Sequence, residues 1–196
     1  MTVAERRYVR CPVCEARFLH PAQRPSRAAE RRHYRSHRNT VDDRRYRAFL
    51  AKLATPLLAR LTVPAEGLDF GCGPGPALAA MLAEAGHRMA LYDPFSHPDP
   101  TPLQRTYGFV TCTEVAEHLH DPAGTFDRLA ALLRPGGWLA VMTSFQTDDE
   151  RFANWHYRRD PTHVVFYRAQ TFAVLAAQRG LDFDSPAKDL AFLRRR

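Results

Sequence analysis

Two short segments of the chain carry side chains that could hold a divalent metal ion or move a proton. The first, EVAEH, contains Glu114, Glu117 and His118, and the second, RRDPTHVVFY, contains His163. On a helical turn the first three residues are spaced i, i+3 and i+4, so two carboxylates and an imidazole would project from one face. These oxygen and nitrogen donors suit magnesium, manganese or zinc, with open positions left for substrate oxygens. The pattern predicts a metal site in which His163 closes the ligand set.

The same residues also permit interpretations without a metal. The two glutamates could cap the turn and accept hydrogen bonds from the backbone. His163 could act as a general base, since an imidazole titrates near neutral pH, or it could make a structural hydrogen bond within DPTH. We predict that His163 and His118 are the catalytic residues and leave these alternatives open.

A second candidate metal site lies near the N-terminus. CPVC separates the thiols of Cys11 and Cys14 by two residues, and His33 and His37 follow at HxxxH spacing on one predicted helix face. Two thiolates and two imidazoles at these spacings are typical of a Cys2His2 zinc site, although the arginine-rich gap between the pairs is not. Without zinc, the arm is expected to form a helical lid over the substrate.

The net charge of +7 is concentrated in the N-terminal part of the chain. Residues 1–60 hold 15 Lys and Arg against 5 Asp and Glu, which leaves 13 against 16 for residues 61–196. A basic arm could bind RNA or an acidic substrate. A solvated arginine-rich helix has the same composition, and no aromatic residues are interleaved with these arginines to stack on bases.

Compartment and solubility follow from what the sequence lacks. No stretch approaches the roughly 20 consecutive apolar residues of a membrane span, and the first residues have no apolar signal-peptide core. The four cysteines do not form the pattern of a disulfide framework. We therefore expect a protein of the reducing cytoplasm.

The elements that must position the candidate residues begin with residues 46–61, where apolar residues recur at helical spacing. Residues 66–70 then form an apolar run that ends in GCGPG. A helix-forming stretch follows and ends at Gly86, where a C-terminal glycine belongs. A second apolar run, residues 88–92, ends at Asp93. The order is strand, glycine turn, helix, and strand with an acid at its tip.

This unit is suited to a bulky ligand that contains a ribose. Glycines let the backbone turn sharply and approach the ligand, and the N-terminus of the next helix offers free amide donors. Asp93 is placed to accept hydrogen bonds from a ribose diol. The dinucleotide fingerprint requires a glycine where this chain has Pro76, which argues against a nicotinamide cofactor.

The order of the motifs resembles that of the class I S-adenosylmethionine-dependent methyltransferases. LDFGCGPG resembles the first motif of that family, TCTEVAEHLHDP its fourth strand and the turn after it, and LLRPGGWLAVMT its next helix, proline-glycine turn and fifth strand. The resemblance covers residues 46–196. It implies an α/β, Rossmann-like, doubly wound sheet that is mostly parallel with an antiparallel final strand. Residues 1–45 would form a short α-rich arm.

The resemblance also implies which residues bind S-adenosylmethionine. Asp69 would orient the methionine ammonium end through the loop, and Asp93 would hold the ribose. Thr113 would line the cofactor after the fourth strand. Three glycines of the loop would pass against the cofactor: Gly71, Gly73 and Gly75.

One departure from the family pattern lies between Asp93 and Phe109. Only 15 residues separate them, and these include SHPDPTP. That is too short for the helix and third strand normally found there. We expect the third edge strand to be missing.

Two branches of the family resemble the pairing of EVAEH with His163: the O-methyltransferases of ubiquinone biosynthesis and the methyltransferases of the 3′-terminal ribose of small RNAs. In both branches a metal holds neighbouring hydroxyls and lowers the pKa of the one that attacks the methyl group. We predict an enzyme that O-methylates a small hydroxylated molecule. An RNA methyltransferase with a zinc-bearing arm and a non-catalytic cofactor-binding module are the alternatives.

Overall fold

The computed structural model describes residues 1–35 and 40–196. Within these ranges the strands are β1 (Thr2–Val3), β2 (Arg6–Arg10), β3 (Arg17–Leu19), β4 (Glu66–Phe70), β5 (Arg88–Tyr92), β6 (Tyr107–Thr113), β7 (Leu133–Met142), β8 (Val165–Phe166), β9 (Leu181–Ala187) and β10 (Leu190–Arg195). The α-helices are α1 (Arg27–Tyr34), α2 (Arg44–Leu58), α3 (Ala77–Glu84), α4 (Pro122–Ala131), α5 (Asp149–Asn154) and α6 (Ala169–Gln178). None of these helices is long and apolar enough to cross a membrane.

The central sheet has the strand order β5-β4-β6-β7-β10-β9. The first four of these strands run parallel, and β10 is antiparallel to both β7 and β9. Among the described residues the sheet ends at β5, and a 3-10 helix at Thr101–Gln104 lies in the proline-rich segment that follows. The predicted fold and the missing edge strand are confirmed.

Helices cover both faces of this sheet. Successive side chains of each strand point to opposite sides, so apolar residues on both faces can be buried. On β7, Ala140 and Met142 pack with residues of α2 and α3, whereas Leu139 and Val141 pack with residues of α4 and α6. All four side chains are buried. Such two-sided burial holds the ends of the parallel strands in a fixed frame.

The N-terminal arm contains more strand than the sequence predicts. In addition to α1, it forms β1, β2 and β3, which continue into a sheet with β8 in the order β1-β2-β3-β8. Tyr8 of β2 and Leu19 of β3 are buried in the main core. The expectation of an α-rich arm is corrected, because these short strands pair with each other and with β8, a distant partner that the local sequence does not indicate. Arg17 of β3 is itself buried; its guanidinium lies over the ring of Phe152.

Candidate active site

A cavity of about 1130 Å³ opens at the carboxyl ends of β4, β5 and β6. This is where ligands bind in open parallel sheets. The cavity is lined by five of the six residues predicted to bind the cofactor: Gly71, Gly73, Gly75, Asp93 and Thr113. The body of the chain therefore assembles the predicted cofactor residues around one space.

The glycine loop, residues 71–75, follows β4, and at Gly71 it requires glycine for two separate reasons. Its φ is +79°, and a Cβ built there would lie 2.3 Å from Cγ2 of Val115. Its amide donates to the carbonyl of Tyr92 at 2.7 Å, which draws the loop towards the tip of β5. Gly73 follows with a φ of +63° and has open space at the Cβ position. Both residues therefore hold left-handed conformations that favour glycine, and Gly71 also has no room for a side chain.

Gly71→Ala is expected to lower both stability and affinity for S-adenosylhomocysteine, because it combines left-handed strain with a clash against Val115. The strain and the clash together are expected to lower the free energy of unfolding by about 2 kcal/mol or more. Gly180→Ala is the matched control: Gly180 has a φ of +64° but nothing within 4 Å of its Cβ position. Urea unfolding and titration calorimetry measure the two effects. Equal losses in both variants would show that the Val115 contact contributes nothing.

Asp93 joins the tip of β5 to the glycine loop. Its Oδ1 accepts hydrogen bonds from the amides of Phe95 at 2.8 Å and Ser96 at 2.7 Å, and its Oδ2 accepts one from the amide of Gly73 at 3.3 Å. An ionised carboxylate offers about four acceptor positions. Oδ2 therefore keeps capacity for a ribose hydroxyl.

Asp69 and Thr113 occupy different positions relative to the cavity. Asp69 lies behind the loop and does not line the cavity; its Oδ1 accepts a hydrogen bond from Thr111 Oγ1 at 2.7 Å. Burial raises the pKa of Asp69 to about 6. Its effect on the cofactor, through the loop, stays a prediction. Thr113 lines the cavity, and its buried Oγ1 has no hydrogen-bond partner among the described residues.

Next to the glycine loop, three of the predicted metal ligands come together. One donor atom from each of Glu117, His118 and His163 lies within 4.8 Å of the others. Glu117 Oε1 is 3.9 Å from His118 Nε2 and 4.0 Å from His163 Nε2. Two ligands of one zinc ion, each bound at about 2.1 Å, are at most roughly 4.2 Å apart. The two distances from Glu117 lie within this limit, so the carboxylate could share one ion with either imidazole.

Both imidazoles are oriented by the backbone. His118 Nδ1 lies 3.0 Å from the carbonyl of Thr162, and His163 Nδ1 lies 2.7 Å from the carbonyl of Tyr157. Because a carbonyl only accepts, each Nδ1 carries a proton, so that in a neutral ring the lone pair lies on Nε2. Burial lowers the pKa of His163, which favours the neutral ring that a ligand or a base requires. Metal-binding histidines almost always make such a second hydrogen bond.

The carboxylate of Glu117 is also held in place. It is completely buried. The phenol of Tyr157 donates to its Oε1 at 2.6 Å, and the hydroxyl of Thr143 donates to its Oε2 at 2.8 Å. Neither partner is evident from the sequence, because Thr143 follows the end of β7 and Tyr157 lies in a separate 3-10 helix. These bonds prevent the buried carboxylate from turning away from the imidazoles.

Glu114 does not join this cluster. Its φ is +51°, and the 3-10 helix begins only at Ala116, so the predicted helical turn is not formed. Glu114 lines the cavity beside the cluster, but its carboxylate lies outside the group of three donors. Burial, with a contribution from Glu117, raises the pKa of Glu114 to about 8. The prediction that the residues project from one helical face is corrected for this reason.

The predicted zinc ligands of the arm are not brought together among the described residues. Cys11 and Cys14 lie in the turn between β2 and β3, where Thr171 Oγ1 donates to the carbonyl of Cys14 at 2.8 Å. His33 instead lies on α1 with its Nε2 at 3.3 Å from Oδ2 of Asp160. The fourth residue, His37, lies outside the described residues. Within residues 1–35 and 40–196, no group of three metal donors contains these cysteines.

The arm contributes to the site through α1, a role that the sequence indicates only as a lid. The ring of Tyr34 lies 5.5 Å from that of Phe95 and 5.4 Å from that of His118. Phe95 follows Asp93, which is hydrogen-bonded to the glycine loop. Asp160 was not predicted as a site residue, although it is part of the same DPTH motif as His163. The contact between His33 and Asp160 joins α1 to that motif. Helix α1 of the arm therefore extends from the residues beside the glycine loop to the cluster of Glu117, His118 and His163.

Comparison with known proteins places this geometry in a family. The model of the methyltransferase domain matches residues 34–185. The ubiquinone biosynthesis O-methyltransferase of Aeromonas salmonicida is 33% identical over 88 residues, which are 44% of this chain and 36% of that protein. The enzyme of the same name from Burkholderia ambifaria is 47% identical over 38 residues, 19% of this chain and 16% of that protein. The aligned segments thus span about a third of these relatives or less.

Solved structures share the fold over nearly the whole chain. The 1,6-didemethyltoxoflavin-N1-methyltransferase of Burkholderia thailandensis, with bound S-adenosylhomocysteine, has a TM-score of 0.62 and 18% identity, and the match covers 98% of this chain and 99% of that one. The magnesium protoporphyrin IX methyltransferase of Synechocystis PCC 6803 has a TM-score of 0.58 and 14% identity, covering 87% and 95%. The chain therefore belongs to the methyltransferase-domain family and has the fold of these methyltransferases.

Proposed function

We propose that this enzyme transfers the methyl group of S-adenosylmethionine to a hydroxyl of a small molecule, with a divalent metal held by Glu117, His118 and His163. The observation that carries the proposal is the donor cluster itself: one donor atom from each of Glu117, His118 and His163 lies within 4.8 Å of the others at the wall of the cofactor cavity. The partial similarity to O-methyltransferases of ubiquinone biosynthesis supports the same acceptor chemistry.

The transfer itself requires mainly positioning. The bond between sulfur and the methyl carbon breaks as the bond between the acceptor oxygen and that carbon forms, and S-adenosylhomocysteine and a proton are released. Alignment of the reacting atoms supplies much of the rate increase. The glycine loop and Asp93 hold the cofactor, and the cluster lies on the wall of the same cavity, where an acceptor hydroxyl can approach it.

Removal of the hydroxyl proton is the task of the cluster. A bound divalent ion would supply Lewis acidity that lowers the pKa of the acceptor hydroxyl. The residues of this chain orient that site: Tyr157 and Thr143 fix Glu117, and the backbone fixes both imidazoles. Without a metal, His163 is the candidate general base, because its Nε2 carries the lone pair and burial keeps its pKa low.

Labelled methyl from S-adenosylmethionine is expected to enter the small-molecule fraction of a cell extract when the purified enzyme is added. The extract without enzyme and the extract with the His163→Asn variant are the controls, and both should give no label above background. The extract is separated into RNA, protein and small molecules before counting. Label in the RNA or protein fraction would contradict the proposed acceptor class. Absence of label from every fraction would contradict the proposed reaction.

A further inference from the structure

Three arginines of the arm face the cofactor cavity from one side of α1. Arg27, Arg31 and Arg35 are spaced four residues apart, so they lie on one helical face, and all three line the rim of the cavity. The row they form extends about 12 Å, at 1.5 Å per helical residue. Arg32 is also exposed but does not line the cavity. The three cavity-facing residues are called the arginine face below.

The arginine face has no carboxylate partner among the described residues. None of its guanidinium groups lies within 4 Å of an acidic oxygen in residues 1–35 and 40–196. The one carboxylate of α1, that of Glu30, is instead 2.8 Å from His120 Nε2. Arg27 lies over the ring of Phe95 at 5.7 Å, a contact that leaves its N–H donors available.

The carboxylates in the cavity wall are already engaged by other groups. Asp93 accepts three backbone amides. Asp160 accepts both the amide and the hydroxyl of Thr162 through Oδ1, and its Oδ2 is 3.3 Å from His33. Glu117 is held by Tyr157 and by Thr143. Within residues 1–35 and 40–196, none of these carboxylates forms an ion pair with the arginine face.

The cofactor supplies too little negative charge to balance this face. S-adenosylmethionine has one carboxylate, while its ammonium and sulfonium groups are positive. A single carboxylate pairs in a bidentate manner with one guanidinium. A row of three guanidinium groups would also repel the sulfonium unless another anion lay between them. An anionic group on the molecule that shares the cavity with the cofactor would supply the second anion.

We propose that the arginine face binds an anionic group, a carboxylate or phosphate, of the methyl acceptor, so that the substrate is a small hydroxylated acid. This inference rests on the proposed O-methyltransferase function and specifies its substrate class. Arginine suits the role because its planar fork matches carboxylate and phosphate oxygens. The face lies on the helix that also contacts His118 through Tyr34, so the anion and the reacting hydroxyl occupy the same cavity.

The test combines product charge with a matched pair of variants on one helix. Enzyme and labelled S-adenosylmethionine are incubated with the small-molecule fraction of a cell extract, and the products are separated on an anion exchanger. The label is expected on the exchanger. Arg31→Gln is expected to reduce the rate of labelling about fivefold to tenfold, since the contact is charged but close to solvent. Arg32→Gln, on the outer side of α1, should label at the wild-type rate.

Titration calorimetry with S-adenosylhomocysteine distinguishes the two sources of an anion. Unchanged affinity in Arg31→Gln supports the acceptor, whereas a fivefold to tenfold loss of affinity would assign the arginine to the cofactor carboxylate and overturn the proposal. Labelled small molecules that all pass through the exchanger would overturn the proposal while leaving the O-methyltransferase function intact. Label found only in RNA, or no label despite normal cofactor binding, would overturn the proposed function and the acid substrate together.

Discussion

Glu117→Gln is expected to abolish binding of Mn²⁺ and to lower methyl transfer by about 100-fold or more. The amide cannot supply a charged oxygen between His118 and His163, and its NH₂ group faces one of two hydroxyl donors, Tyr157 or Thr143, in place of an acceptor. Loss of even an outer partner of a metal ligand typically costs about 10-fold to 100-fold. Calorimetric titration with Mn²⁺ and initial rates at saturating S-adenosylmethionine measure the two effects.

Glu114→Gln is the matched control for this experiment. Glu114 lines the same cavity, but its carboxylate lies outside the cluster and its pKa is raised to about 8. The amide therefore resembles the protonated acid already present at neutral pH, and Mn²⁺ affinity should change little. An equal loss in both variants would make Glu114 a fourth ligand. Thermal unfolding of each variant checks that Glu117→Gln, at a fully buried position, still folds.

Activity in the presence of a chelator decides between the metal and the free base. If the wild-type enzyme turns over at its full rate in excess chelator, the metal hypothesis is wrong. His163 is then the residue that removes the proton. Under that outcome Glu117→Gln would still reduce the rate, because Glu117 faces His163 Nε2 at 4.0 Å. Loss of activity in Glu117→Gln therefore supports a metal only together with the loss of Mn²⁺ binding.

The parts of the structure that the sequence predicts are those set by local patterns. The apolar run before GCGPG forms β4, the run before Asp93 forms β5, and both meet at one edge because parallel strands end together. The missing edge strand follows from the short interval between Asp93 and Phe109. In each case a few neighbouring residues determine the conformation, so no distant contact is needed to identify it.

The parts that escape prediction depend on contacts between distant segments. β3 pairs with β8, so that Arg17 lies opposite Phe166. Nothing within residues 1–45 indicates this partner, so the sequence alone predicts an α-rich arm. The position of Glu114 outside the cluster is not predicted for a different reason. The i, i+3, i+4 spacing assumes a helical turn, but the chain enters the left-handed region there, which few residues other than glycine adopt.

Replacing Asp93 should produce the second large effect, on cofactor affinity. Asp93→Ala removes the acceptor of three amides, those of Gly73, Phe95 and Ser96, together with the predicted ribose acceptor. An unmade hydrogen bond at a half-buried site costs about 1–3 kcal/mol, so affinity for S-adenosylhomocysteine should fall about 10-fold to 100-fold. Asp99→Ala is the control. Asp99 makes the same kind of turn contact with Thr101, but it does not line the cavity.

Asp93→Asn separates the two roles of this carboxylate. The asparagine oxygen can still accept the amides of Phe95 and Ser96, so the turn after β5 should be preserved. Its NH₂ group, in the place of Oδ2, cannot accept from Gly73 or from a ribose hydroxyl. Calorimetric affinity as weak as that of Asp93→Ala would therefore locate the loss at Oδ2, as ribose binding requires. Wild-type affinity in Asp93→Asn would instead mean that the carboxylate serves only to hold the turn, and wild-type affinity in Asp93→Ala would remove Asp93 from the cofactor site altogether.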